Sequence, residues 1–384
     1  MVLPGSKGAK KTVRVGILGG GQLGLMLIEA GRDLGVKFSV LDPDSEAPCR
    51  DVADLFVVGD FRDFSTVMHF GKNCDVVTIE IEDVNVEALR RLRDEQGVTV
   101  FPQPEVISVI QDKGIQKEFY RRHNIATADF VLLENRAELE TCHDFLPGFL
   151  KLRRGGYDGR GVMRVTAENI ARAFDAPCVL EKVVAIEKEI SVILARDAVG
   201  QIKMFPLVEM TFHSARHVVD LLLAPARLSP EQVDRAYHLA RQVAQDLGVI
   251  GVLAVEMFVT QEGEILVNEI APRPHNSGHH TIEANETSQY LLHLQTILGR
   301  EIGSTHKKSI AVMINLLGSP DHDGVAKISG VEEVAQFEGV FIHLYGKTVT
   351  HPWRKMGHVT ILDDSLENAM KRAKEIKEKI RIVT

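Results

Sequence analysis

The chain has 384 residues, with 45 lysines and arginines against 53 aspartates and glutamates, for a formal net charge of -8. That length exceeds one typical compact core and implies two or three domains. The acid excess argues against wholesale binding to nucleic acid, which needs basic surface to displace counterions from phosphates. Cys49, Cys74, Cys142 and Cys178 stand far apart with no C-x-x-C pair. That pattern indicates neither a zinc site nor a disulfide framework and reads as reduced thiols in the cytoplasm. No stretch approaches the roughly 18 apolar residues of a membrane span, and MVLPGSKGAKK has no apolar signal core, so residues 1–11 read as a loose tail.

Val13 to Leu18 is a short β-branched run, followed by glycines 19 to 21 and a helical pattern from Gln22 to Leu34. Further apolar runs, Val36 to Leu41 and Val76 to Ile81, alternate with helical stretches at Phe64 to Phe70 and Val86 to Arg93. This rhythm predicts a parallel sheet covered by helices, an α/β domain over 12–112. A polar helix at Lys117 to His123, strands at Phe149 to Arg153 and Cys178 to Val184, and the glycine-rich stretch between them predict a smaller mixed lobe over 113–187. The remainder, 188–384, holds a strand from Glu189, a long helix from Pro230 to Leu247, strands near Gly251 to Val259 and Glu264 to Ile270, and a helix from Ser288 to Leu298.

Gly19, Gly21 and Gly24 in GGGQLG, with Asp42 ending the next strand, meet the dinucleotide fingerprint. The physics says only that glycines let amides and a helix N-terminus approach an anion, so a nicotinamide cofactor, another phosphorylated ligand and a purely structural turn all remain open. The hairpin near 251–270 is more specific. If Glu262 and Gly263 form a two-residue turn, Glu256 falls opposite Glu269. Two opposed carboxylates among apolar neighbours repel and resist desolvation unless a cation sits between them. Magnesium suits such a pair, with Asn268 a possible further oxygen, whereas two glutamates on a solvated face is the plainer reading.

KLRRGGYDGRGV, residues 151–162, then acquires a purpose: a pliant basic loop after a strand that carries Lys151 can fold over phosphates. It is not a Walker loop, since G-x-x-x-x-G-K-[ST] is absent. It resembles the small-lobe loop of ATP-grasp enzymes. GGYDGRG, NEIAPRPHNSGH at 268–279, the strand from Val312 to Leu317, YGK and RKMGH together resemble, in order, the N5-carboxyaminoimidazole ribonucleotide synthetase family, the ATPase subunit of phosphoribosylaminoimidazole carboxylase.

The resemblance implies an ATP-grasp fold, mixed α/β and α+β, with an N-terminal Rossmann-like domain, a small lid lobe and a large C-terminal lobe. It implies a ligase of purine biosynthesis that uses ATP, Mg2+ and bicarbonate to carboxylate 5-aminoimidazole ribonucleotide by way of carboxyphosphate, in a cytoplasmic homodimer. By the family pattern Lys113, Lys151, Gly156 and Tyr157 touch ATP phosphates, Glu181, Lys182, Val183 and Val184 form the adenine strand, Glu189 takes the ribose, and Asn268 lies beside the metal ligands Glu256 and Glu269. Arg273, His275 and Asn276 orient bicarbonate, while Tyr157, Asp158 and Arg160 face the acceptor, with Asp158 taking a proton from the attacking amine. Gly21, Gln22, Leu23, Lys347 and Arg354 hold the substrate phosphate and Glu80 its ribose. The chain departs from the pattern at TIEIEDV, where an aromatic residue before the first glutamate and an asparagine after the second are expected, and at Lys113, where arginine is common. Rival readings keep the fold and change the acceptor (a formate-dependent glycinamide ribonucleotide transformylase or a biotin carboxylase), or make the chain a nucleotide sensor or a dehydrogenase.

Overall fold

The computed structural model describes residues 12–156, 161–212 and 219–384. The strand Arg14–Leu18 lies at the centre of a five-stranded parallel sheet, flanked by Lys37–Asp42 and then Leu55–Val58 on one side, and by Val76–Ile79 and then Thr99–Val100 on the other. Val15, Ile17, Leu18, Val40, Val77 and Ile79 are buried, as a strand covered on both faces requires, which is why these runs are apolar throughout and not alternating. The chain leaves the central strand toward one flank and returns to the other. This opens a crevice at its carboxyl end, where glycines 19 to 21 lie. The first helix is shorter than its sequence pattern: Gln22–Gly31 is α-helical, and Arg32–Leu34 tightens into a 3-10 turn before Gly35 at φ +65°.

A four-stranded antiparallel sheet follows, in the order Phe130–Leu133, Cys178–Lys182, Gly148–Leu152, Val162–Val165. Its own core of Leu133, Leu150, Val165, Cys178 and Leu180 is separate from the other cores. A nine-stranded sheet carries the rest: Ile265–Ala271, Gly251–Thr260, Ile186–Arg196, Val208–Phe212, Val219–Ala224, Ile310–Leu317, Lys355–Asp363 and Val340–Leu344 in order, with Ile202–Met204 paired beside Ile186–Arg196.

The helix Pro230–Leu247 starts and stops where its sequence directs. Ser229 and Gln232 form a capping box, Pro230 occupies the first turn, and Gly248 ends the helix at φ +66°. Its buried stripe of Ala236, Leu239, Ala240, Val243 and Ala244 packs on the sheet. The helix Gln289–Ile297 lies between the two larger sheets. From it His293 meets the Thr78 hydroxyl with Nε2 (2.9 Å) and accepts from the Val252 amide at Nδ1 (3.1 Å), so one buried ring ties the parallel sheet to the first turn of the strand that carries Glu256.

The acidic hairpin needs one correction. Its loop is three residues, Gln261 to Gly263, and not the two-residue turn expected: the Thr260 amide donates to Glu264 (2.9 Å) and Gly263 sits at φ +84°. The Gln261 amide instead donates to Ala185 in the link between the two antiparallel sheets (2.8 Å), and so leaves the ladder. Pairing near the turn is therefore offset by one, Val259 to Ile265, until a bulge between residues 256 and 257 restores it and sets Glu256 opposite Glu269. Asn268 is the extra residue of that bulge, a device that re-aims a side chain beside a site.

Candidate active site

At the crevice of the parallel sheet the glycine amides are engaged by the chain's own acids. Gly20 donates to Asp42 (2.6 Å), while Gly21 and Gly24 donate to the two oxygens of Glu80 (2.6 and 2.8 Å). A Cβ on Gly19 or Gly21 would meet Glu80 at 2.4 or 2.5 Å, so this close approach demands glycine. Asp42, the acid of the dinucleotide fingerprint, also accepts from Asp44 and is spent on its own turn. Burial raises the Glu80 carboxyl, and the two amide bonds pull it back only in part. Gln22 is half-buried, and the side chain of Leu23 is in the core, which leaves its backbone to any ligand.

The phosphate-binding candidates converge from separate elements. Asp112 caps the helix Lys113–Arg122 by accepting from the Gly114 and Ile115 amides, so the helix begins four residues earlier than its pattern suggests and Lys113 stands in its first turn. Asp112 also accepts a two-point contact from Arg153 (2.9 and 3.0 Å) and a bond from Arg154 (3.3 Å), and the Lys113 amide donates to the Arg153 carbonyl. The root of the glycine loop is thereby fastened to the Lys113 helix. Leu152 and Gly161 close the base of the loop (2.8 Å). Gly156 lies on its described rim, while Tyr157, Asp158 and Arg160 lie outside the described residues.

Lys113 is ion-paired with Glu269. Lys151 reaches Glu181 (2.8 Å) and the side-chain oxygen of Asn268 (3.3 Å). Glu181, expected on the adenine strand, turns its carboxylate into the protein, where Lys117 holds its other oxygen at 3.0 Å and both partners are about 95% buried, with side-chain exposures of 4% and 5%. Lys117 is a site residue that its sequence context did not disclose, although its place one helical turn after Lys113 puts both lysines on one face. Lys182 bonds Asp129 and lies over the Phe145 ring. Val183 and Val184 belong to no strand, so their backbone groups form an open link between the two sheets.

The two opposed acids differ in electrostatics. Burial first, then Glu269 and Glu189, pushes the Glu256 carboxyl up to about 8. Burial also raises Glu269, but the Lys113 ammonium outweighs it and holds that carboxyl below its ordinary value, with 48% of the side chain still open to solvent. Glu189, opposite Phe258 on the neighbouring strand, is raised to about 7 by burial against the pull of Lys151. Glu256, Glu269 and Asn268 form an all-oxygen donor set with one carboxyl raised by burial and by its acidic neighbours, which fits a hard divalent cation such as Mg2+. Among the described residues no group of three or more His, Cys, Asp and Glu is placed to hold a metal, so nucleotide and water would complete its shell.

Just beyond the acid strand, His275 Nε2 lies 3.4 Å from Glu256, and Arg273 pairs with Glu82 (2.8 Å), an acid of the parallel-sheet lobe. Asn276 exchanges amide bonds with Asn315 (2.8 and 3.2 Å), so its side chain clips this turn to the strand Ile310–Leu317. Lys355, within RKMGH, pulls the Glu256 carboxyl down against burial and the neighbouring acids. Lys347 donates to the Lys355 carbonyl and lies over the Tyr345 ring, and Arg354 donates to the Val349 carbonyl (2.7 Å), which places both around one turn.

Comparison with known proteins gives this arrangement its class. Residues 118–290 match the family model of the ATP-grasp domain, 12–111 that of the ribonucleotide synthetase preATP-grasp domain, and 311–372 that of the phosphoribosylaminoimidazole carboxylase C-terminal domain. The fold is that of an ATP-grasp enzyme. The chain is 34% identical over 357 residues to the N5-carboxyaminoimidazole ribonucleotide synthase of Bacillus subtilis, covering 91% of each. It is 37% identical over 374 residues to the phosphoribosylaminoimidazole carboxylase of Ogataea methanolica, covering 93% of itself and 68% of that protein. It spans about two thirds of the length of relatives bearing that second name. The Aspergillus clavatus N5-carboxyaminoimidazole synthase, solved in complex with ADP and 5-aminoimidazole ribonucleotide, matches with a TM-score of 0.85 and 32% identity over 96% of this chain and 99% of that one. The chain belongs to the N5-carboxyaminoimidazole ribonucleotide synthase family.

Proposed function

We propose that the chain carboxylates 5-aminoimidazole ribonucleotide on its exocyclic amine, using ATP and bicarbonate. The observation that carries this reading is the meeting of Lys113 and Lys151, from two separate elements, on Asn268 and Glu269, a few residues before Arg273 and His275. Two ammonium groups there suit a triphosphate, and the planar guanidinium and imidazole beside them suit a small flat anion.

In the reaction a bicarbonate oxygen attacks the γ-phosphorus of ATP and ADP leaves. The amine nitrogen then attacks the carboxyphosphate carbon, its C–O bond to phosphorus breaks, phosphate leaves and the amine gives up a proton. Lys113 and Lys151 neutralise and align the phosphates, and positioning of this kind does most of the work in phosphoryl transfer. Glu256 and Glu269 would hold Mg2+, whose chemistry there is to offset phosphate charge. The open backbone at Val183 and Val184 would pair with the adenine edge, Glu189 would take the ATP ribose, and Arg273 and His275 would orient bicarbonate. Asp158 is assigned the amine proton, with Tyr157 and Arg160 on the acceptor. Backbone groups of Gly21, Gln22 and Leu23, with Lys347 and Arg354, would hold the acceptor's 5′-phosphate, while Glu80 would exchange an amide bond for a ribose hydroxyl.

We further assign the lobes to 12–112, 113–187 and 188–384, and a homodimer in the cytoplasm. Among the described residues no helix is long and apolar enough to cross a membrane. Sedimentation tests the dimer. Phosphate release tests the reaction: it should require bicarbonate plus aminoimidazole ribonucleotide, and dependence on formate plus glycinamide ribonucleotide would overturn the reading.

A further inference from the structure

His275 is held by more than its neighbours in sequence. Its backbone is extended (φ -131°, ψ 153°) and its ring caps the short turn Asn276–Gly278. The Ser277 amide lies 3.3 Å from Nδ1, and an amide N–H only donates, so Nδ1 of the neutral ring carries a lone pair there. The Ser277 hydroxyl, 2.8 Å from the same nitrogen, must then donate to it. That leaves the Ser277 oxygen to accept from the Ser191 hydroxyl, 2.9 Å away. Ser191 is 0% exposed and Ser277 1%, so water does not compete for these bonds. Ser191 stands on the strand Ile186–Arg196 directly opposite Glu256. Two hydrogen bonds thus run from the sheet through Ser277 into the imidazole, a third comes from the Ser277 amide, and together they leave the ring proton on Nε2, the nitrogen that faces Glu256 at 3.4 Å.

We infer that Ser191 and Ser277 are positioning residues that fix His275 as its Nε2–H tautomer, so that the ring meets the carboxyl donor as a hydrogen-bond donor and not as a base. The direction of the chain follows from the Ser277 amide, because reversing it would set two N–H groups against each other. The catalytic consequence rests on the carboxylation proposed above, whereas the tautomer does not, and the two fail separately. A donor at this point stabilises negative charge on a bicarbonate or carboxyphosphate oxygen, and it leaves proton removal from the amine to another group.

The test is long-range 1H–15N spectroscopy of the full chain labelled with 15N-histidine, with His275 assigned by its loss in His275→Gln. The expected wild-type spectrum has an unprotonated Nδ1 and a protonated Nε2. Ser277→Ala keeps the amide donor but loses the shorter hydroxyl bond, so it should weaken the preference for the Nε2–H form and raise the KM for bicarbonate, with kcat lower by roughly tenfold, the worth of one buried hydrogen bond, and the KM for ATP unchanged. Ser277→Thr, which keeps a hydroxyl, should restore the wild-type pattern, and Ser191→Ala should weaken it without abolishing it. A protonated Nδ1 in the wild type overturns the inference, and that reading depends on no serine variant folding. Wild-type tautomer and bicarbonate KM in both alanine variants also overturn it.

Discussion

Glu256 and Glu269 face each other across two antiparallel strands, yet Lys113 bonds only Glu269. One carboxyl is thereby held ionised and the other is left to choose between a proton and a cation. The proton wins near neutrality, because burial and the adjacent acids raise Glu256 to about 8. A site of this kind is weak as a structural ion pair but responsive as a metal and nucleotide trap, since an arriving cation can take the place of the proton that keeps Glu256 neutral.

Binding of Mg·ATP should release a proton at pH 7. The Glu256 carboxyl is mostly protonated below about 8 and must ionise to ligate. Calorimetry in buffers of different ionisation enthalpy should give heats that differ, and the apparent affinity should climb with pH until about 8 and then level off. Equal heats in all buffers would mean that Glu256 is already ionised or takes no part.

Glu256→Gln should make the metal-free protein more stable at pH 8 and nearly inactive. The sign follows from linkage: the folded carboxyl keeps its proton to about 8, whereas the unfolded one loses it near 4.5, so the wild type loses stability as pH rises through that window. The neutral amide escapes this loss, and a gain of about 2 kcal/mol in urea unfolding is expected at pH 8, vanishing near pH 4. A variant less stable at pH 8 than at pH 4, relative to wild type, contradicts the assignment.

Lys117→Met should cost about 3 kcal/mol, because it strands half of a buried carboxylate. Burial raises the Glu181 carboxyl, but Lys151 and Lys117 outweigh it and hold it below its ordinary 4.5. Its contribution is therefore present above pH 4.5 and fades as pH falls through the lowered value. Lys151 should also be drawn off Asn268, raising the KM for ATP. Adding Glu181→Leu should recover part of the stability in denaturant melts, but not the KM.

Asp112→Ala should loosen the loop more than it harms the fold. It removes a helix cap, worth about 1 kcal/mol, together with the two-point contact from Arg153 that ties the loop root to Lys113. Tryptic cleavage after Arg153 and Arg154 should speed up, and the KM for ATP should rise severalfold while the melting temperature falls by only a few degrees. Unchanged cleavage would show that the loop has another anchor.

What was legible in the chain was what local pattern controls. The apolar runs of a doubly covered sheet, and the Ser229–Gln232 box and Gly248 around one helix, all act over a few residues. The opposition of Glu256 and Glu269 was also readable, though by two errors that cancel: a turn one residue longer than expected and a bulge that takes the residue back. Neither shows in the sequence, because the turn is lengthened by the Gln261 amide bonding Ala185 in the link between the two antiparallel sheets. The same holds for Lys117 on Glu181, Glu82 on Arg273 and Glu80 on the Gly21 and Gly24 amides. Each depends on pairing between distant segments, on which composition and periodicity are silent.

The most direct measurement uses bicarbonate labelled with 13C and 18O. If bicarbonate attacks ATP and the amine displaces phosphate from the resulting mixed anhydride, 31P spectra of the released phosphate should show one 18O per turnover, with 13C on the exocyclic nitrogen of the product. Phosphate free of 18O in an active preparation would contradict the carboxyphosphate route and, with it, the roles given to the acidic hairpin and the two lysines.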